Sequence, residues 1–107
     1  MTVQASLSCS HLWAIQPVRP TAPGCEDCLR IGGWWLHLRT CLSCGHVGCC
    51  DQSPHRHATV HFRAIGHPII RSLEPGENWM WCYVDETFVQ ERRLASLRSM
   101  ATRGTTG

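Results

Sequence analysis

Residues Arg39–Pro68 read RTCLSCGHVGCCDQSPHRHATVHFRAIGHP and hold Cys41, Cys44, Cys49 and Cys50 together with His46, His55, His57, His61 and His67. Few roles call for so many thiols and imidazoles in one short stretch. Zinc takes cysteine sulfur at ~2.3 Å and histidine nitrogen at ~2.0 Å in a closed tetrahedron, usually as close pairs on turns joined by a second pair from elsewhere. Cys41 and Cys44 form such a CxxC pair, and His57 and His61 fall four residues apart on one helix face.

Working outward, the same pattern continues. Cys25 and Cys28 make a second CxxC upstream of the first, Cys9 and His11 make a CxH pair, and Cys82 stands in the segment Trp81-Cys82-Tyr83. Two CxxC pairs with a histidine-rich helix behind them predict zinc. As buried free thiols and core histidines, these groups would leave too many polar rings without partners. Spacing alone leaves the pairing open, since nested and interleaved arrangements both satisfy it.

The remaining sequence sets the frame. The chain has 107 residues, with 8 Cys and 7 His but only 2 Phe and 1 Tyr, and a formal net charge of +2. One domain fits this length, and its core is small enough for metal to contribute heavily. The N-terminal stretch MTVQASLSCSHLWAIQPVRP has no basic segment leading into an apolar run, so it does not read as an export signal. A reduced, cytoplasmic chain is expected, with zinc rather than disulfides using the thiols. No apolar run approaches the ~18 residues of a membrane span. The weak, interspersed charge does not predict nucleic-acid binding. All ten basic residues are Arg, consistent with a GC-rich bacterial genome.

Local patterns predict an irregular arm up to Gly24, a strand over Trp34–Arg39 and a helix of about three turns ending before Gly66 and Pro68. Two strands, in PIIRSLE and WMWCYV, should pair antiparallel across the turn at Pro75-Gly76. Leu94, Leu97 and Met100 suggest a C-terminal helix over Val89–Ala101. The expected fold is therefore a small zinc-stabilised α+β domain with an antiparallel sheet, a histidine-bearing helix and a C-terminal helix. Its expected divisions are an arm over 1–8, the domain over 9–101 and a flexible tail over 102–107.

The order CxH, CxxC, CxxC, Cys, His, HxxxxxH and then WCY resembles the ubiquitin-binding zinc finger of ubiquitin-specific proteases and of a cytoplasmic histone deacetylase, here as a small stand-alone member. The resemblance spans roughly Cys9 to Asp85 and implies three interleaved zincs. One site would take Cys25, Cys28, Cys49 and His57, and a second Cys41, Cys44, His61 and His67. The third would join Cys9, His11 and Cys82 to a residue three positions on. That residue is a second cysteine in three-zinc members and is Asp85 here. A carboxylate oxygen binds zinc at ~2.0–2.2 Å, so Asp85 is assigned as the fourth ligand, against the alternative of an exposed cap for the segment that follows, which would leave this site water-bound or empty.

Other donors are assigned by position. Cys50 adjoins Cys49 and is read as a free thiol, because neighbouring residues seldom face one metal. His46 is read as a residue of the CxxC turn facing solvent or the groups around a site, and His37 as a packed or exposed ring. His55 yields to His57, which alone stands four residues before His61.

All three sites would then be filled by protein, leaving no open position for catalysis, and no enzyme is expected. In the family, aromatic residues line a pocket for the free Gly-Gly tail of ubiquitin. Trp81 and Tyr83 match pocket positions, with Trp34 or Trp35 as the other wall. Ubiquitin-binding members carry an arginine two residues after the cysteine matching Cys49, where this chain has Asp51; Arg39 and Arg56 are nearby cations that could stand in. The expected function is a monomeric zinc-binding module for the free, glycine-rich C-terminus of a ubiquitin-like or other protein. The alternative is a stand-alone structural module, or a zinc- and redox-responsive one with no such ligand.

Overall fold

In the computed structural model, which describes residues 10–89, a sheet grows from the cysteine-rich stretch. Leu38–Cys41 (β1) and Val47–Cys49 (β2) form a hairpin whose turn carries Cys44 and Gly45. Ile69–Ser72 (β3), Met80–Cys82 (β4) and Thr87–Val89 (β5) complete five strands in the order β2-β1-β3-β4-β5, each neighbour antiparallel. Two helices, Glu26–Ile31 (α1) and His57–Ile65 (α2), pack toward β2, and a single 3-10 turn covers Leu12–Ala14. This is the expected α+β class with an antiparallel sheet, and β3 and β4 pair as anticipated.

Side-chain alternation along the strands gives the sheet two different faces. Ile69, Met80, Cys82 and Val89 turn to one side and cluster with Leu42, closed over by Leu12 and Ile15 from the N-terminal turn. The opposite face carries a cross-strand row in which Ile70 pairs with Trp81 and Trp81 with Phe88. The apolar core is correspondingly thin. Among the described residues, the eight largest fully buried side chains include Ile69, Met80 and Val47 as aliphatic or thioether groups; Cys25, Cys28, Cys41, Cys49 and Cys82 supply the rest. Each buried aliphatic side chain contributes about 1.5–3 kcal/mol, so Val47, Ile69 and Met80, even with the nearly buried Leu42, Ile70 and Val89, make a thin core for a domain of this size.

Helix α2 ends as its sequence predicts, with Gly66 in the left-handed region (φ 85°) and its N–H bonded to the Phe62 carbonyl. Its start is unusual. Arg56 precedes it at φ 46° with no side-chain cap, and the first helical N–H, from His57, donates to Cys49 Sγ at 3.2 Å. Gly48 lets β2 approach this helix, since a Cβ there would meet the Ala58 nitrogen at 2.6 Å.

Some boundaries differ from the sequence expectation. The strand expected over Trp34–Arg39 begins at Leu38 instead. Before it, Leu36 N–H bonds to Ser53 Oγ, and Leu38 N–H bonds to Glu74 Oε2 at 2.8 Å, so side chains occupy backbone donors that a longer strand would pair. Helix α1 and strands β2 and β5 were not anticipated. Val89, expected to open a C-terminal helix, closes β5. The rest of that helix, the arm over 1–8 and the tail lie outside the described residues; the irregular stretch up to Gly24 is described from residue 10 and carries the 3-10 turn.

A candidate metal centre and an aromatic pocket

Three turns of similar local geometry present the sulfurs. In each, the first thiol accepts a backbone N–H from two or three residues on: Cys28 N to Cys25 Sγ (3.4 Å), Ser43 N to Cys41 Sγ (3.4 Å) and Asp85 N to Cys82 Sγ (3.5 Å). Such N–H donors stabilise sulfur that carries negative charge. Gly45 permits the tight second turn: it sits at φ 86°, and a Cβ there would come within 2.3 Å of the Arg19 carbonyl. The third turn has the same form with a carboxylate at its fourth position.

The fold brings the expected donors together in three groups. Cys25, Cys28, Cys49 and His57 form one, Cys41, Cys44, His61 and His67 a second, and His11, Cys82 and Asp85 a third, with the ligand atoms of each group within 4.8 Å of one another. Cys9, expected in the third group, lies outside the described residues. A zinc tetrahedron with the bond lengths given above has edges of roughly 3.3–3.8 Å. The observed edges, 3.1–3.9 Å, lie within about 0.2 Å of that range. His57 Nδ1 stands 3.3 Å from Cys25, 3.4 Å from Cys28 and 3.6 Å from Cys49, and the Cys28 and Cys49 sulfurs are 3.9 Å apart. Cys41 lies 3.4 Å from His67 Nδ1, and Cys44 lies 3.4 Å from His61 Nε2. In the third group His11 Nδ1 is 3.5 Å from Cys82 Sγ and 3.1 Å from Asp85 Oδ2.

The protonation chemistry of these groups also fits a cation. Without one, burial pushes Cys28 up to about 12, and the neighbouring thiols add to the rise. Burial likewise raises Cys25 and Cys41. A crowd of buried thiols cannot ionise together unless a positive charge sits among them. Burial lowers the pKa of both His57 and His61, which favours the neutral imidazole that offers a lone pair. The seven described cysteines form no disulfide.

His46, left in the sequence as a residue facing solvent or the surroundings of a site, has a defined place. Its ring stacks flat on His61 (centroids 4.1 Å apart, planes 4° apart), and its Nε2 is 2.9 Å from Asp27 Oδ2. Burial works against the charge on Asp27, but Arg30 and His46 outweigh it and hold the carboxyl below its usual range. A carboxylate between Cys25 and Cys28 thus orients a ring packed on a donor of the second group. Asp27 carried no sequence signal for this role. His55 stacks on His57, and His37 Nδ1 lies 3.9 Å from Cys50 Sγ; neither belongs to a donor group.

The sheet face opposite the core opens as a pocket of about 320 Å³. Trp79, Trp81, Tyr83 and Phe88 form its aromatic walls over Ile70. Phe88 meets Trp81 and Trp79 edge to face, with centroids 5.0 and 5.7 Å away, and Tyr83 stacks on Phe62 of α2 at 4.6 Å. Arg39 enters from β1 with its guanidinium carbon 4.5 Å above the Trp79 ring, while Cys50, Asp51 and Gln52 border the pocket from the loop after β2. Thr59 donates to Asp51 Oδ1 at 2.5 Å and lies 3.3 Å from the Tyr83 hydroxyl.

Trp34 and Trp35 stand elsewhere. Trp35 packs on the Cys25–Cys28–Cys49 cluster, and Trp34 is exposed, with its carbonyl accepting from Cys28 Sγ at 3.6 Å. Neither is among the residues lining the pocket, whereas Trp79 and Phe88, not assigned there from the sequence, are.

Interleaved cysteine and histidine clusters on a small α+β scaffold define a zinc finger. The chain belongs to the family of zinc fingers in ubiquitin hydrolases and other proteins, whose model matches residues 25–94. It is 28% identical over 98 residues to histone deacetylase 6 of Caenorhabditis elegans, a match covering 88% of this chain and 10% of that protein. It is 42% identical over 53 residues to ubiquitin carboxyl-terminal hydrolase 16 of Mus musculus, covering 46% of this chain and 6% of that protein. The chain therefore spans a tenth or less of the length of these curated relatives. A Rhodopseudomonas palustris protein solved by solution NMR shares the fold at a TM-score of 0.71 and 59% identity, covering 78% of this chain and 81% of the other. The family is a zinc-binding protein-interaction module. Among the described residues, no helix is long and apolar enough to cross a membrane.

Proposed function

We propose that this chain is a zinc-held recognition domain that receives the free, glycine-rich C-terminus of a ubiquitin-like or other protein in the pocket formed by Trp79, Trp81, Tyr83 and Phe88. The observation that carries this reading is the aromatic slot on a sheet face backed by the core, with a guanidinium at its side. Glycine suits such a slot because a chain without side chains passes between ring faces, and a terminal carboxylate brings the charge that an arginine binds.

Three zinc ions support the scaffold in this account. Cys25, Cys28, Cys49 and His57 hold one, Cys41, Cys44, His61 and His67 another, and Cys9, His11, Cys82 and Asp85 the third. Each shell is closed by protein atoms, so the metals build the fold and perform no chemistry. The thiolate-rich sites suit a reducing, cytoplasmic setting and a monomer acting through its pocket.

Peptides ending in Gly-Gly test the recognition. A free terminus is expected to bind and the same peptide amidated to lose at least about tenfold in affinity, because the amide removes a charged hydrogen-bond partner. Equal binding of the two forms, or of neither, would instead favour a structural or redox-responsive module.

A substitution tests the third site. Asp85→Asn keeps the shape of the side chain but removes its anionic oxygen, and should cost one zinc per chain while the other two remain. Asp85→Cys should restore the full complement. Retention of every zinc by the Asn variant would assign Asp85 to its hydrogen bonds with Ser10, whose backbone N–H lies 3.1 Å from Oδ2.

A further inference from the structure

We infer that Asp27 and His46 are positioning residues for the second donor group: Asp27, carried inside the Cys25–Cys28 turn, holds the His46 ring against His61, so that metal retention by Cys41, Cys44, His61 and His67 depends on the turn of the first group. This rests on the zinc assignment proposed above and adds to it a coupling between two of the sites.

The second group needs such a hold. Its Cys44 is exposed and both of its histidines are half-buried, whereas the first group has three buried cysteines. His61 stands on α2, whose only buried residue is Ala58, so little packing fixes the imidazole that turns Nε2 toward Cys44 Sγ. A ligating imidazole that can swing loses affinity, and groups beyond the ligands that fix its plane restore it. The His46 ring lies parallel to His61 with centroids 4.1 Å apart and covers one of its faces.

His46 is itself fixed from two sides. Its carbonyl accepts the Cys41 N–H at 2.8 Å, which ties its backbone to the ligand turn. Its Nε2 lies 2.9 Å from Asp27 Oδ2, while Arg30, one turn further along α1, donates to Oδ1 at 2.5 Å and leaves the second oxygen for the imidazole. Beside Asp27, Glu26 Oε2 accepts the N–H of buried Val47 at 3.1 Å. Two successive carboxylates of α1 thus grip His46 and Val47, the residues that lead from the Cys41–Cys44 turn into β2. Because Cys25 and Cys28 flank these carboxylates in the chain, the order of the first turn reaches His61 through a hydrogen bond and a stacked ring. That path is separate from α2, which carries both His57 and His61.

Site-resolved metal exchange tests the coupling. The reduced chain and its variants are loaded with an NMR-active cadmium isotope, and each resonance is assigned through its couplings to cysteine and histidine protons. An excess of a spin-silent cadmium isotope is then added. Metal is never depleted, so the chain stays folded while each resonance decays at the exchange rate of its own site. His46→Ala and Asp27→Ala should each speed exchange at the second group roughly tenfold or more and leave the other resonances at the wild-type rate; failure of that group alone to load is the same result in the limit. Asp27→Asn, which keeps an acceptor oxygen for His46, should recover part of the difference. His46→Phe keeps a stacked ring without a partner for Asp27, and in that background Asp27→Ala should add nothing. These two milder variants keep the test readable should an Ala variant fail to fold. Equal acceleration by Asp27→Ala in the wild-type and His46→Phe backgrounds would mean that Asp27 does not act through His46, and overturns the inference. Acceleration confined to the first group would assign Asp27 to its own turn and overturn it equally. Unchanged exchange at the second group in both Ala variants overturns the coupling while the zinc assignment stands. A wild-type chain with no resonance coupled to Cys41, Cys44, His61 and His67 overturns both.

Discussion

Stripping the metal from the folded chain with a strong chelator should unfold it, and returning zinc under reducing conditions should restore it. Structural zinc contributes about 10–16 kcal/mol of apparent binding free energy in small fingers, comparable to or larger than the ~5–15 kcal/mol net stability of a whole domain. Little else here replaces it. Five of the eight largest fully buried side chains among the described residues are cysteines, and the first backbone donor of α2 is held by Cys49 sulfur. Loss of metal therefore removes both the interior and a helix cap in one step. Far-ultraviolet circular dichroism and amide NMR dispersion follow the change; a spectrum that stays native after complete zinc removal would mean that the apolar cluster around Ile69 and Met80 suffices alone.

Trp81→Ala carries the second large effect. Its ring stands on the pocket face between Ile70 and Phe88, while its neighbours Met80 and Cys82 turn into the core. Truncation should leave zinc content and fold intact and lower tail affinity by about 2 kcal/mol or more, roughly thirtyfold, as is usual for a central aromatic anchor. Trp81→Phe should keep part of the binding. Undiminished affinity in the Ala variant would place the tail outside this pocket.

The donor pairs were legible in the sequence because their chemistry is local: a CxxC pair states its own turn, and histidines four apart state a helix face, while the grouping of the pairs came from the family resemblance alone. Eleven of the twelve proposed ligands fall within the described residues, and the fold gathers them into the three groups that the family resemblance implied. Strands β3 and β4 were legible for a related reason, since the β-branched and aromatic residues of PIIRSLE and WMWCYV, with Pro75-Gly76 between them, are properties of each segment alone. The short elements were hidden. Helix α1 has six residues, and β2 and β5 have three each, too few for a period to register.

The pocket was half legible. Trp81 and Tyr83 flank Cys82 in sequence, but the facing wall depends on register between strands distant in the chain. Trp34 and Trp35 looked suitable because they are large rings near the first CxxC, yet they precede β1 rather than belonging to it. Arg39, two residues before Cys41, reaches the pocket because β1 lies beside β3 and Trp79 opens the approach to β4. The contact between Asp27 and His46 was hidden likewise, since nothing local tells a carboxylate inside a CxxC turn which imidazole it will meet.

Native mass spectrometry of the reduced, zinc-loaded chain, with elemental analysis of the same sample, tests the central claim that interleaved closed sites build this domain. The account predicts three zinc ions per folded chain; a folded, fully loaded chain carrying one or two would contradict it.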